Sequence, residues 1–363
     1  MRMIMPLKRT SRWLKPLILF ALMGTTACSG MLGSFSSLDP GSLNPPLVTL
    51  DPLATQTPTP FMPAANTPTP IVEATPTNTP LPSPTPSEPW GSFPGPSEAT
   101  DTVLPPMPRI EMPEDAFNIL IMGADTRARL LGTRTDTIIV LSVSRQEGTA
   151  KLLSIPRDFY AYIPGWKNTR INAAYGHGGA ELAELTVLYN FGIEIDRFVR
   201  VNYHGFRRAI DLLGGIDVNV GNYVADSCYG QWMSFSPGTT WMDGRTALCY
   251  ARMRKTTSDF HRMGRQQEVL RAIFWRMLSL DALGRIPELY DLFRWLAETD
   301  IELNDVLPYI PLATQLAAHP KRIEAYTIKP PLVNDWIIAY SGAYVLLPDR
   351  QAIYEMLQDT FKP

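Results

Sequence analysis

The sequence predicts a single three-layer α/β/α domain with a mixed central sheet, preceded by a disordered Pro/Thr-rich stalk. Three observations predict it. Strand-type and helix-type segments interleave from Phe117 onward, the pattern of α/β architecture. A short turn, Gln146-Glu147-Gly148-Thr149, joins two apolar runs, and such a hairpin argues against a purely parallel sheet. Finally, 20 of the 34 prolines fall between Pro40 and Pro108, which leaves about 250 residues after Arg109 for one sizeable core.

The elements follow in order. Arg2, Lys8, Arg9, Arg12 and Lys15 precede a short apolar run, Leu17 to Met23, and a small-residue zone, Gly24-Thr25-Thr26-Ala27-Cys28. This is the layout of a secretory signal, with a run too short to cross a bilayer. The Ala-Cys-Ser-Gly stretch resembles a bacterial lipoprotein cleavage site, with Thr25 where Leu is usual. Lipid attachment at Cys28, ordinary cleavage and retention as an anchor all place the rest of the chain outside the cytoplasm, on the membrane surface where an anchor persists. Residues 29–112 read as the stalk: no Lys or Arg occurs from Pro16 to Pro108, and Thr-Pro repeats fill 55–86. That composition buries too little apolar area to offset ordering entropy, and Pro-rich chains stay extended.

The domain is expected over 113–363. Phe117–Gly123, Thr137–Val143 and Lys151–Ile155 read as strands, the last two hairpin-paired. A helix over 180–191, a strand at Phe198–Val201 and a helix from Tyr203 to Leu213, stopped by Gly214-Gly215, come next. Ile216–Val220 alternates as a strand. Helices are expected at 243–250, 259–280, 286–297 and 303–318, then a strand at Arg322–Ile328 and a helix near 348–358.

A net charge of −2 implies no polyanionic partner, so no nucleic acid. Arginine supplies 25 of the 33 basic residues, through codon bias or because guanidinium grips phosphate with paired hydrogen bonds. Cys228 and Cys249 read either as one disulfide or as two buried thiols. The four histidines have no zinc-site spacing.

Four clusters carry the chemistry, all at strand ends or a helix start. Asp125 and Arg127 follow the first strand, and Arg134 and Asp136 precede the second. Two aspartates near arginines suit magnesium, which takes one or two carboxylates plus water and substrate phosphate. Arg157-Asp158 closes the third strand. The densest cluster is Tyr250 to Lys255, with Arg252 and Arg254 two apart and on one face if extended. It leads to Ser258, a good N-cap, and to a helix carrying Asp259, Arg262 and Gln266. A helix start favours anions, and Arg262 and Gln266 share a face. Leu270, Ile273, Phe274 and Met277 continue as an apolar stripe. Each cluster also has a plainer reading, as turn residues or as a solvated charged face.

At these clusters the sequence strongly resembles the LytR–CpsA–Psr family of cell-envelope proteins. The segments are Asn118–Arg127, Arg134–Asp136, Leu153–Asp158, Arg170–Tyr175, Val201–Gly205, Leu212–Val220, Asp243–Arg254 and Asp259–Leu270. The resemblance spans about 115–330 and implies a phosphotransferase. Such enzymes move a glycopolymer, with its linking phosphate, from a polyprenyl pyrophosphate carrier to peptidoglycan. It implies Mg2+ held by Asp125 and Asp136, and phosphate contacts from Arg127, Arg134, Arg157, Arg252, Arg254, Arg262 and Gln266. It also implies an acceptor-side acid, Asp259, and an apolar tunnel for the carrier between sheet and helices. Two features depart from the family's pattern, His261 and the short stretch Lys255–Ser258, both beside the acceptor side. Alternatives are a polyprenyl pyrophosphate phosphatase and a non-catalytic regulator. Older naming of the family as transcriptional attenuators fits poorly with an exported chain that lacks a DNA-binding motif.

Overall fold

A computed structural model describes residues 93–125, 133–280 and 286–363. The expected signal with Cys28, the stalk up to residue 92, and Arg127 lie outside the described residues.

The chain builds β1 (Phe117–Ala124), β2 (Thr135–Ser144), β3 (Thr149–Ser154), β4 (Tyr160–Tyr162), β5 (Asn168–Arg170) and α1 (Ala174–Phe191). Next come β6 (Arg197–Asn202), α2 (Tyr203–Leu212), β7 (Ile216–Val220), β8 (Val224–Cys228), β9 (Gln231–Phe235) and β10 (Gly238–Met242). Then follow α3 (Gly244–Arg252), α4 (Asp259–Ser279), α5 (Ile286–Leu296), β11 (Ala297–Thr299), α6 (Leu303–Val306) and α7 (Ile310–Ala318). The chain closes with β12 (Ile323–Thr327), β13 (Val333–Ile337), β14 (Tyr344–Pro348) and α8 (Arg350–Phe361).

The central sheet has six strands in the order β11-β6-β1-β2-β3-β12. It is mixed: β2 is antiparallel to β1 and β3, whereas β6 runs parallel to β1 and β12 parallel to β3. Both faces are covered, which is why the strands read as apolar runs. On one face Leu120, Met122, Val140 and Leu153 pack with Val187 and Phe191 of α1 and Ile353 and Leu357 of α8. On the other, Ile139 and Leu152 meet Leu312 and Leu316 of α7 and Leu270 and Phe274 of α4. A third cluster joins β7, β10 and α3 to the far side of α4 through Val218, Met242, Tyr250 and Val269. The helix α4 therefore ties this smaller layer to the sheet.

Several expectations change. The packed domain begins well before residue 113. Met107 and Ile110 are buried in the main core, and their amides bond the Tyr189 carbonyl at 2.8 Å and the Gly192 carbonyl at 3.1 Å. Burying each contributes about 1.5–3 kcal/mol, so residues 93–112 belong to the fold despite their prolines. Gly192 permits this: its φ is 66°, and a Cβ there would lie 2.1 Å from the Pro108 carbonyl oxygen. The helix expected over 303–318 is split, because Pro308 and Pro311 start new segments rather than continue one. Arg252 ends α3 and Met253 is buried, so Arg252 and Arg254 do not share an extended face. Met277, expected on the apolar stripe, is 37% exposed. Cys228 and Cys249 form a disulfide, with Cα atoms 5.9 Å apart, which clips the β8–β9 hairpin to α3.

Candidate functional site

The site forms where β1 ends and β2 begins. Between them the register slips: Gly123 faces Thr137, but Ala124 faces Thr135. Asp136 is the extra residue of this bulge. A bulge turns its unpaired residue out of the ladder and is a common way to aim a functional side chain. Asp125 follows directly on the neighbouring strand, so two carboxylates open onto one cleft. That cleft, about 190 Å³, is lined by Asp125, Arg134, Asp136, Arg157, Asp158, Arg170 and Asn172.

The charges alternate along one chain of contacts. Arg170 Nε lies 3.3 Å from Asp158 Oδ1, and Arg157 Nε 3.3 Å from Asp158 Oδ2. Arg157 Nη1 donates to Asp136 Oδ1 at 2.7 Å. Arg262 Nη2 reaches the Asp136 carbonyl at 3.2 Å and Asp259 Oδ2 at 3.0 Å. Arg254 Nε lies 3.2 Å from Asp259 Oδ1. Segments more than a hundred residues apart thus meet in one network.

Two guanidinium groups differ in their balance. Burial opposes the charge of Arg157, but the hydrogen bond and charge of Asp136, with Asp158 and Asp259 behind, hold it above the usual arginine value. Arg262 is pulled below that value by burial; Asp259 and Asp136 oppose the shift, while Arg157 and Arg254 deepen it. Its side chain is only 6% exposed, and its Nε has no hydrogen-bond partner among the described residues. A buried cation with an unfilled donor is costly until an anion arrives.

Local structure holds these groups in place. Ser258 caps α4, its hydroxyl accepting from the His261 amide at 3.4 Å. Arg265, one turn beyond Arg262, is buried and donates to the Tyr250 and Met253 carbonyls and to Thr257 Oγ1. It pins the connection carrying Arg254 against α4. Asp226 of β8 accepts from the Arg254 and Lys255 amides at 2.8 and 3.0 Å.

Of the expected residues, Asp125, Arg134, Asp136 and Arg157 line the cleft, and Arg254, Asp259 and Arg262 join it through ion pairs. Arg252 is exposed and stacks its guanidinium 4.3 Å over the Tyr203 ring. Gln266 turns its amide toward the Ala251 carbonyl at 3.5 Å. Asp158, named with Arg157 in the third cluster, lines the cleft too. Three participants were not singled out from sequence: Arg170 and Asn172 line the cleft, and Tyr203 is raised in pKa by burial, countered by Arg252 and reinforced by Asp136 and Asp125. All three lie in the segments that carry the family resemblance, the only signal that marks them.

No group of three or more metal-ligating side chains occurs among the described residues. Two carboxylates on adjacent strand ends, opening on a basic cleft, fit an ion that takes its remaining ligands from water and phosphate. Beside the cleft, β1, β2 and α1 leave an apolar void of about 10 Å³ lined by Leu120, Met122, Ile138, Ala174, Ala183 and Val187. That is room for about one water, a narrow apolar seam between sheet and helix. It also touches Thr135 and Ile171, the chain neighbours of Asp136 and Asn172.

A model of the LytR_cpsA_psr family matches residues 97–362. The "polyisoprenyl-teichoic acid–peptidoglycan teichoic acid transferase TagU" of Oceanobacillus iheyensis is 38% identical over 199 residues, 53% of this chain and 61% of that protein. TagT of Bacillus subtilis, also named a polyisoprenyl-teichoic acid–peptidoglycan teichoic acid transferase, is 29% identical over 68% of this chain and 76% of its own length. The chain spans about three-fifths of the length of the first curated relatives it matches. The crystal structure of B. subtilis TagV superposes with a TM-score of 0.58 at 31% identity, over 69% of this chain and 98% of TagV. TagT bound to LI-WTA superposes with a TM-score of 0.54 at 29% identity, over 68% and 91%.

Proposed function

The chain belongs to the LytR_cpsA_psr family, and from that premise we propose that it is an extracytoplasmic, Mg2+-dependent phosphotransferase. It moves a glycopolymer with its linking phosphate from a polyprenyl pyrophosphate carrier to a peptidoglycan sugar hydroxyl. The observation that carries this reading is the convergence of Asp125, Asp136, Arg134, Arg157 and Arg262 on one cleft. The relatives' names supply the substrate class. The N-terminal signal with Cys28 anchors the chain to the outer face of the membrane.

In phosphoryl transfer the protein contributes positioning and charge stabilisation rather than covalent chemistry. Asp125 and Asp136 hold the ion, which when bound neutralises diphosphate charge. Arg157 exchanges Asp136 for a phosphate oxygen. Arg262 directs its free Nε to the same diphosphate, and Arg134 and Arg254 close the flanks. Arg127 and Arg252 complete the basic surround, and Gln266 adds a neutral amide donor. The carrier's apolar chain enters by parting the seam between β1, β2 and α1. The acceptor oxygen bonds to the phosphorus bearing the glycopolymer while the bond to the bridging oxygen breaks. Polyprenyl phosphate leaves, and Asp259 takes the acceptor's proton.

The test is incubation of the full chain with a polyprenyl-pyrophosphate-linked glycopolymer and soluble peptidoglycan strands, followed by mass analysis. A phosphodiester-linked conjugate that forms with Mg2+ and disappears with EDTA is the expected product. Release of polymer phosphate to water with no conjugate at any acceptor concentration would instead make the chain a phosphatase.

A further inference from the structure

The donor half of the site is built for an anion, but its other rim has a different chemistry. The β13–β14 hairpin stands against the Asp158 end of the cleft. The Leu346 amide bonds the Asp158 carbonyl at 2.8 Å, and Arg170 Nε donates to the Tyr344 carbonyl at 2.8 Å. Tyr344 pairs across the hairpin with Ile337, so both side chains share one face. They are 41% and 63% exposed. The Tyr344 hydroxyl donates to Asp335 Oδ1 at 2.6 Å. Burial and that bond raise the hydroxyl to about 12.

An exposed aromatic and aliphatic face beside a catalytic cleft calls for an occupant. The Asp335 carboxylate, which the Tyr344 hydroxyl touches, disfavours a second phosphate on this face. A neutral pyranose suits both features: its C–H face packs on a ring, and its hydroxyl and amide groups donate to carboxylates. We infer that Tyr344 and Ile337, with Asp335, form the subsite that seats one sugar ring of the acceptor glycan, beside the Asp158–Arg170 end of the cleft. This rests on the transferase reading for its occupant, but its test does not require turnover. Tyr344 here is a positioning residue.

The test measures binding of a soluble, peptide-free peptidoglycan tetrasaccharide to the full chain by NMR titration. Wild type, Tyr344→Ala and Tyr344→Trp are compared, with thermal unfolding as the folding control. The main-chain bond from Arg170 persists in all three. Expected are saturable binding by wild type, at least tenfold weaker binding by Tyr344→Ala, and recovery to within threefold by Tyr344→Trp. At saturating donor, Tyr344→Ala then raises the acceptor KM more than it lowers kcat. Equal affinity in wild type and Tyr344→Ala overturns the subsite, as does an absence of saccharide binding in wild type. So does a result in which the substitution only breaks self-association of the chain. Failure of wild type to form conjugate, with tetrasaccharide binding still dependent on Tyr344, would sink the transferase reading and leave the subsite standing.

Discussion

Replacing Arg262 by Met separates the anion site from the fold. In the free protein the buried guanidinium gains one ion pair with Asp259 and one bond to the Asp136 carbonyl, but its Nε goes unfilled. Removing only the cation of a buried pair leaves its carboxylate behind and costs about 3–5 kcal/mol. Arg254 Nε still lies 3.2 Å from Asp259, so the stability loss is expected at the lower end, about 3 kcal/mol. With a diphosphate bound, the charge-assisted hydrogen bond from Nε is lost, worth about 1.5–3 kcal/mol, so affinity falls by about 10–150-fold. The assay is thermal unfolding with Mg2+ and inorganic pyrophosphate. At a hundredfold excess over Kd, ligand adds about 2.7 kcal/mol to the wild type, or about 5 °C for a domain of this size. Under the same conditions Arg262→Met should shift by less than about 3 °C. A full wild-type shift in the variant would refute the argument that Arg262 faces the diphosphate.

Other outcomes follow from the same structure. Asp125→Ala, Asp136→Ala and Arg157→Ala should each lower turnover at least about a hundredfold. Their circular dichroism should stay native, since the Arg157–Asp136 pair is partly solvated at 20% and 31% side-chain exposure and contributes little to stability. Full activity in all three would discredit the cleft. Changing both Cys228 and Cys249 to Ser opens a loop with a sequence separation of 21, which should cost about 3 kcal/mol and about 6 °C in calorimetry. Glu184 is raised to about 7 by burial and by Asp300 and Glu181, against Arg197. Its carboxylate is harder to ionise folded than unfolded, so stability falls as pH rises from about 4.5 to 7. Glu184→Gln should raise Tm at pH 8 relative to wild type and leave it unchanged near pH 4; the reverse pattern would contradict the assignment.

The long apolar strands and the amphipathic helices were legible because burial on both sheet faces leaves an unambiguous pattern, as in Phe117–Ala124. Pro105, Pro106 and Pro108 hid the first 20 residues of the domain, since single apolar residues such as Met107 and Ile110 show no period. The hairpins β8–β9 and β13–β14 are built of five-residue strands like β7, but lack the strict buried–exposed alternation that makes β7 legible. At the site, the motifs that carry the family resemblance marked Asp125, Asp136, Arg157 and Arg262, whose spacing alone also fits turns and solvated charged faces. The bulge that aims Asp136 was invisible, because register is a property of the pair of strands. Arg170 and Tyr203 were hidden for a related reason: each acts through a partner distant in sequence, the Tyr344 carbonyl for one and the Arg252 guanidinium for the other.

The proposed transfer requires a single diphosphate gripped jointly by remote arginines and an ion on two strand-end carboxylates. The most direct test is a crystal of the chain soaked with Mn2+ and a short polyprenyl diphosphate, read by anomalous diffraction. One anomalous peak beside both Asp125 and Asp136 is expected, with Arg157 turned from Asp136 to the ligand and Arg262 Nε within hydrogen-bond reach. A diphosphate bound elsewhere, or an ion that leaves either aspartate free, would contradict the proposed transfer.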